Sequence, residues 1–566
     1  MSPIDWVVLA AAIAAVVVYG VWKGRASRDM DGYMVAGRTM PWYAVALSIM
    51  ATQASAITFL STPGQAYADG MRFVQVYFGL PLAMVVLSIT AVPLYHRLKV
   101  YTAYEFLESR FDLKTRCLAA FLFLVQRGLA AGLTIFAPSL ILSTILGWSL
   151  FWTNVALGSF VVIYTASGGS RAVDWTHVHQ MLVILFGLFV AFGMVVALLP
   201  EDVSLLDATR VAGHHGRLNA VDYSFDLQNR YNFWSGLIGG LFLSLSYFGT
   251  DQSQVQRYLS GRSVKQSRLG LLVNGMAKVP MQFFILFLGA MVFAFYQFTE
   301  PPLFFNRVET EAIEASPDAG AWRALEERHG AAFAEKRGEI DDLLAAMRAD
   351  DEAAEEAARA RIDAADRRVS EIRAEAIELL RRNHPGIDPR DTNYVFLSFV
   401  IDYLPQGVVG LLIVMVFFAS MNSTSSELNA LASTTVVDIY RRLLRPNASD
   451  RHYLRVARLS TVMWGAFAIG FAQYASRLGS LVEAVNILGS VFYGTILGIF
   501  LLAFYSKGLS GTAVFLAAIV AEAAVVACFL GTEISFLWYN VVGCVVVVVT
   551  AFVIDPVLRR KRSPAV

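Results

Sequence analysis

Charge is scarce in this chain. Only 16% of its 566 residues are Asp, Glu, Lys or Arg, against roughly 25% in soluble domains, while 56% are hydrophobic. The formal net charge is +1, which argues against nucleic-acid binding. Cysteine is rarer still: Cys117, Cys528 and Cys544 are the only three, and none lies in a polar segment long enough to be a disulfide-stapled domain. The first apolar stretch, Trp6 to Val21, has no basic region before it and no small-residue cleavage site after it, so it reads as a retained helix rather than a signal peptide. No nucleophile–base pair and no phosphate-cradling glycine loop with a following Lys occurs, so an enzyme is not expected. His177 and His179 do not suggest a metal site. Residues two apart lie about 200° apart on a helix, and no Cys or carboxylate cluster completes a ligand set.

What the chain has in abundance is apolar runs of about 20 residues, the length that crosses a bilayer. Thirteen are placed at 5–22, 41–62, 73–95, 118–146, 151–166, 175–199, 231–250, 268–298, 404–440, 456–475, 480–505, 510–530 and 535–555. Alternate loops are basic. The series runs Lys23/Arg25/Arg28/Arg38, then Arg97/Lys99/Arg110/Lys114/Arg116, Arg171 and Arg257/Arg262/Lys265/Arg268. It continues with Arg441/Arg442/Arg445/Arg451, Lys507 and Arg559/Arg560/Lys561/Arg562. The positive-inside rule then puts the N-terminus outside and the C-terminus in the cytoplasm of a multi-pass plasma-membrane protein. Residues 307–392 are the exception, rich in Ala, Glu, Asp and Arg with no spanning run. They read as an external insert of two helices near 321–348 and 351–383, closed by Pro385-Gly386. A solvated hairpin without chemistry is the plain reading; a lid or a partner-binding element is the alternative.

Polar residues at bilayer depth need a reason. The run from Pro41 carries Ala51-Thr52-Gln53-Ala54-Ser55-Ala56 at its centre. Small polar residues there permit close packing. They also permit unwinding, whose freed carbonyls can coordinate a cation. The run from Leu404 reads Phe418-Ala419-Ser420-Met421-Asn422-Ser423-Thr424-Ser425-Ser426, and Ala419, Asn422 and Ser423 share one helical face. Oxygen-only ligands of this kind suit an alkali cation rather than a transition metal. The seventh run ends in Tyr247-Phe248-Gly249-Thr250-Asp251-Gln252-Ser253-Gln254-Val255-Gln256-Arg257, a second polar break that answers the first. Paired interrupted helices point to an inverted-repeat transporter. Arg127 sits about nine residues into its run, roughly 14 Å deep. It needs an interior partner: helix carbonyls, an internal carboxylate, or a carboxylate on the substrate.

These stretches resemble the sodium:solute symporter family. Gly249-Thr250-Asp251-Gln252 with Val255-Gln256-Arg257 is similar to the family's sixth core helix, and Gly168-Gly169 with Ala172-Val173, Trp175-Thr176 and Gln180 to the start of its fifth. Glu427-Leu428-Asn429 with Ser433-Thr434 and Asp438-Ile439-Tyr440 is similar to the end of its eighth. Tyr101 to Phe111 is similar to the loop before its third. Within the family, Ser55 to Pro63 with Ala66-Tyr67, and Ile135 to Leu142, look closest to the iodide, monocarboxylate and multivitamin branch.

The resemblance implies an all-α membrane protein with the inverted-repeat fold of the leucine transporter and one extra N-terminal helix. On that reading 1–40 is the extra helix and its inner loop, 41–199 the first repeat and 200–230 an external loop. The second repeat is 231–505, interrupted by the 307–392 insert, and 506–566 holds two C-terminal helices and a basic tail. The resemblance implies Na+ as coupling ion, bound by Ala51, Ala54, Ala419, Asn422 and Ser423. Asn422 stands where serine is usual; a register shift by one brings in Ser420 or Thr424. His177 stands where an aspartate near the sodium exit route is usual, which bears on ion release. Gln53, Thr58, Tyr77, Ser244, Tyr247 and Lys278 fall near substrate-contact positions, with Arg127 added by its depth. The glutamate that marks the sugar branch aligns near Tyr77. The expectation is therefore a sodium symporter for a small, anionic solute such as a monocarboxylate. A neutral solute (sugar, amino acid or vitamin) is the alternative, and a transporter-derived sensor is a third, disfavoured because no signalling domain follows Arg562.

Overall fold

The computed structural model describes residues 2–24, 29–478 and 480–560. Arg25 and Arg28 of the first basic loop and Lys561 and Arg562 of the last lie outside them. The described residues form helices in this order: α1 (Pro3–Gly24), α2 (Trp42–Gln53), α3 (Ala56–Asp69), α4 (Met71–Leu98), α5 (Leu113–Leu146), α6 (Leu150–Ala197), α7 (Leu205–His214), α8 (Ser235–Gly249) and α9 (Gln252–Leu259). They continue as α10 (Val264–Phe298), α11 (Ala319–Ala349), α12 (Glu352–Asn383), α13 (Thr392–Tyr403), α14 (Val408–Leu444), α15 (Asp450–Ala472), α16 (Leu481–Tyr505), α17 (Gly511–Gly531) and α18 (Phe536–Arg560). Within a bilayer every backbone N–H must find an internal partner, which is why apolar runs become helices here. Their first turns are capped: Asp112 accepts from the amide of Thr115 ahead of α5 at 3.0 Å, and Ser263 from that of Gln266 ahead of α10 at 3.3 Å.

Among the described residues nine helices are long and apolar enough to cross a membrane, or ten if the bent pair α2/α3 is one span. Every one of the thirteen expected runs falls on a helix, but their division differs. The fifth and sixth runs both fall on α6, which is two helices meeting at a kink at Gly169, at φ 61° and ψ −175°. A Cβ at Gly169 would lie 2.6 Å from the ring of Tyr33, so both the backbone angle and the space require glycine there. The ninth run begins at Val408 rather than Leu404, after Gly407 at φ 86°.

Two interruptions matter for function. The first lies between α2 and α3, which bend by 60° at Ala54-Ser55. The Ser55 amide turns back to the Gln53 carbonyl at 3.1 Å, and the Thr58 amide donates to the Ser55 carbonyl at 2.9 Å. The carbonyls of Ala51 and Ala54 therefore lose the amides four residues on that a continuous helix would give them. The second lies between α8 and α9, where Asp251 caps α9 by accepting from the Ser253 amide at 2.9 Å.

The insert forms the expected hairpin, α11 and α12, within two residues at the start of each helix and one at most at its end. It is not merely solvated, however. Ile340, Leu343, Leu344 and Ile362 join the main hydrophobic core, and Arg348 reaches Asp207 of α7 at 3.0 Å. His215, just past α7, meets Asp366 of α12 at 3.0 Å. Arg373 of α12 holds both oxygens of the buried Asp391, at 2.6 and 2.7 Å, immediately before α13. Asp391 also accepts from the Phe305 amide at 2.7 Å. α13 in turn lies backbone-to-backbone on α3, where a Cβ at Gly64 would fall 1.8 Å from the Thr392 carbonyl. Composition shows the charged outer face of such a hairpin but hides the apolar seam beneath it. Arg373→Ala should lower thermal stability by about 1–3 kcal/mol, the usual cost of losing a buried hydrogen-bond partner, because the Phe305 amide stays on Asp391. Unfolding in detergent checks this, and an unchanged midpoint would return the insert to a passive role.

Candidate functional site

The two interrupted helices meet α4, α5, α14 and α16 around a central cavity of about 120 Å³. Gln53, Thr58, Tyr77, Arg127, Ser244 and Tyr247 all line it, which brings together six of the seven substrate candidates. Lys278 of α10 does not line it. It stands behind Tyr77, its ammonium 5.6 Å from that ring's centroid, fully buried and without a hydrogen-bond partner.

The sodium candidates lie at one wall of this cavity. Thr52 of α2 and Ser426 of α14 bridge the two helices through their hydroxyls at 2.9 Å. Ala51 and Ala54 are buried on the α2 side. On α14, Ser423 lines the cavity, and its hydroxyl donates to the Ala419 carbonyl at 3.1 Å. Asn422 is fully buried with neither its amide oxygen nor its amide nitrogen partnered. A buried amide in that condition costs free energy unless something else binds it. The two register alternatives are engaged elsewhere. Ser420 donates to the Thr134 carbonyl at 2.9 Å, and Thr424 to the Thr134 hydroxyl at 3.0 Å, so both face α5.

Arg127 has found internal carboxylates. Its guanidinium contacts Glu427 at 3.0 Å, pairs with Asp251, and lies 2.5 Å from the hydroxyl of Tyr493. Glu427 also accepts from Thr134 at 2.9 Å, and Tyr493 donates to Asp251 at 2.8 Å. Sequence reasoning required a partner for Arg127 but did not assign Asp251, Glu427 or Tyr493 to it. The usable signal was there, since Asp251 and Glu427 are carboxylates in or beside apolar runs and so needed a partner of their own. His177 is buried beside Ser48, Nδ1 to hydroxyl 3.0 Å, and Ser48 donates to Asp174 at 2.8 Å. A carboxylate thus stands three residues before the histidine, and Arg257 of α9 holds it at 2.5 Å. His179 points elsewhere, its ring tilted against that of Tyr19 with centroids 4.6 Å apart. Among the described residues no group of three or more His, Cys, Asp and Glu could hold a metal ion.

A polar cavity walled by two broken helices, with unsatisfied backbone and amide oxygens at bilayer depth, defines a secondary transporter. Comparison with known proteins agrees. The chain matches the Sodium:solute symporter family over residues 33–310 and 374–521, and it belongs to that family. It is 26% identical over 508 residues to the Homo sapiens Sodium/iodide cotransporter, covering 88% of this chain and 66% of that one. It is 27% identical over 501 residues to the Homo sapiens Sodium-coupled monocarboxylate transporter 1, covering 88% and 68%. The chain thus spans about two thirds of the length of these relatives. A solved structure, the substrate-bound outward-open state of a Na+-coupled sialic acid symporter, has a TM-score of 0.75 at 22% identity over 98% of both chains. That likeness shows a shared fold. The all-helical transporter architecture implied by the resemblance is therefore observed, in a family of sodium-coupled membrane transporters rather than enzymes. The unmatched residues 311–373 are most of the insert.

Proposed function

We propose that this protein is a sodium-coupled symporter that imports a small organic anion, such as a monocarboxylate, by alternating access. The observation that carries the anion is Lys278: a buried ammonium without a partner, standing behind the cavity-lining Tyr77. A cation in that position is costly until an anion arrives. The names of the two human relatives, an iodide and a monocarboxylate transporter, point the same way. Sodium would bind between the Ala51, Ala54 and Ala419 carbonyls and Asn422 and Ser423, favouring the substrate-competent state by its differential affinity. Gln53, Thr58, Ser244 and Tyr247 would contact the solute.

The topology follows the basic loops. Counting α6 as two spans, and adding α8/α9 and α15 to the ten, gives thirteen, with the insert and N-terminus outside and the C-terminus inside. Residues 41–199 and 231–505 form the two repeats, each opening with an interrupted helix. A neutral solute is the second reading. It is favoured by one observation, that Arg127 is already paired with Asp251 and Glu427.

Lys278→Met separates the two. It should weaken uptake of labelled propionate by about 10- to 100-fold, the range for losing a charged hydrogen bond, while sodium still stabilises the protein. Equal loss for acids and neutral solutes would assign Lys278 to structure and favour the neutral reading.

A further inference from the structure

The network around Arg127 is electrically unbalanced. One guanidinium faces two carboxylates, Asp251 and Glu427, and the side chains of all three are at most 5% exposed. With both carboxylates ionised the cluster would carry one unit of excess negative charge, where screening is weak. Its polar neighbours are Tyr493, Thr134, Gln126, Tyr247, whose ring lies 5.4 Å from the guanidinium, and Ser253, whose amide and hydroxyl donate to Asp251 at 2.9 and 2.7 Å. Gln126 donates to the Tyr493 hydroxyl at 3.4 Å, and its own amide oxygen is buried, unpartnered and on the cavity wall. Glu427 lies four residues after Ser423, on the same face of α14, and both line the central cavity. A cation beside Ser423 thus sits about one helical turn from Glu427.

We infer that Arg127 is a resident counter-cation that competes with sodium, and that Glu427 is the positioning residue through which the two are coupled. In the sodium-free protein Glu427 and Asp251 hold both ends of the Arg127 fork. Sodium at the Ser423 site offsets the charge of Glu427 and loosens its grip on the guanidinium. Arg127 then turns toward the cavity and meets the anionic end of the solute alongside Lys278. Because coupling is reciprocal, the solute tightens sodium by the same factor that sodium tightens the solute. This inference rests on the sodium and anion readings above, but its first test needs no solute.

The test is equilibrium binding of radiolabelled sodium to purified protein in nanodiscs. Arg127→Gln removes the competitor and should tighten sodium by about tenfold or more. Glu427→Gln should weaken it by a similar factor. Arg127→Gln/Glu427→Gln keeps the net charge of the wild-type cluster and should return sodium affinity to near wild type. Unchanged or weaker sodium binding in a folded Arg127→Gln protein overturns the inference. If Arg127→Gln does not fold, the double variant decides: it must bind sodium more tightly than Glu427→Gln alone, and equality overturns the inference. A purely structural role for Arg127 predicts no such rise. The second arm measures propionate. Sodium should tighten it in wild type and change it by less than about twofold in Glu427→Gln. If propionate fails to bind wild type with sodium present, the anion reading fails, and the sodium arm still decides the role of Glu427.

Discussion

Asn422→Ala should raise the sodium concentration needed for half-maximal uptake by about 10- to 100-fold, the range for one ligand to a charged partner. Asn422 is buried with both side-chain polar atoms unpartnered, so its removal breaks no hydrogen bond of the resting protein. The loss should therefore appear in ion affinity and not in stability. Ser423→Ala should act in the same direction, since its hydroxyl is engaged only with the Ala419 and Ser420 carbonyls of its own helix. Ser420→Ala and Thr424→Ala are the controls. Their hydroxyls bond to Thr134 on α5, so they should leave sodium dependence within about threefold while costing about 1 kcal/mol each in stability. Unchanged sodium dependence in both Asn422→Ala and Ser423→Ala removes the assigned site. A large effect confined to the controls moves the register by one, onto the other face of α14.

Breaking the Asp174–Arg257 pair should produce the largest loss of stability. Both side chains are wholly buried, and they tie α6 to α9, the short helix beyond the second interruption. Arg257→Met would leave Asp174 buried with only the neutral hydroxyls of Ser48 and Ser260 to satisfy it. Uncompensated buried charges of this kind cost about 3–5 kcal/mol. Asp174→Asn in the same chain removes the stranded charge, so the double variant should recover much of the loss. Thermal unfolding of the two single variants and the double gives the coupling directly. Additive losses would mean that the pair is not a functional unit. The Arg116–Asp438 pair, at 2.7 Å and also buried, closes the same end of the protein between α5 and α14. Both pairs lie among the basic loops, and each ties two helices together there.

The membrane class was legible from hydropathy alone, because an apolar run of spanning length has few other fates. The interruption at Ala54-Ser55 was legible too, since small polar residues at mid-span have either a packing or a binding reason. Division of the spans was less so. The fifth and sixth runs are separated in sequence by Gly168-Gly169 and the polar residues after them, and the structure kinks at Gly169 without an intervening loop. The gathering of Gln53, Thr58, Tyr77, Ser244 and Tyr247 around one cavity came from resemblance, and no spacing along the chain would have given it. The partners of Arg127 lie 124 and 300 residues away, a separation no local pattern encodes. The docking of the insert was hidden for a different reason. Its buried face has only a few aliphatic side chains per helix, diluted among salt-bridged Glu and Arg on the solvated side, such as Arg328–Glu375 and Arg368–Glu335.

The central claim is that sodium drives solute uptake through this fold. The direct measurement is uptake of labelled propionate into proteoliposomes under an inward sodium gradient, beside identical vesicles given potassium. The account predicts transient accumulation above the external concentration with sodium, none with potassium, and collapse when the sodium gradient is dissipated. If a panel of acids, sugars, vitamins and amino acids gives equal uptake in sodium and potassium, from correctly inserted protein, sodium coupling is contradicted.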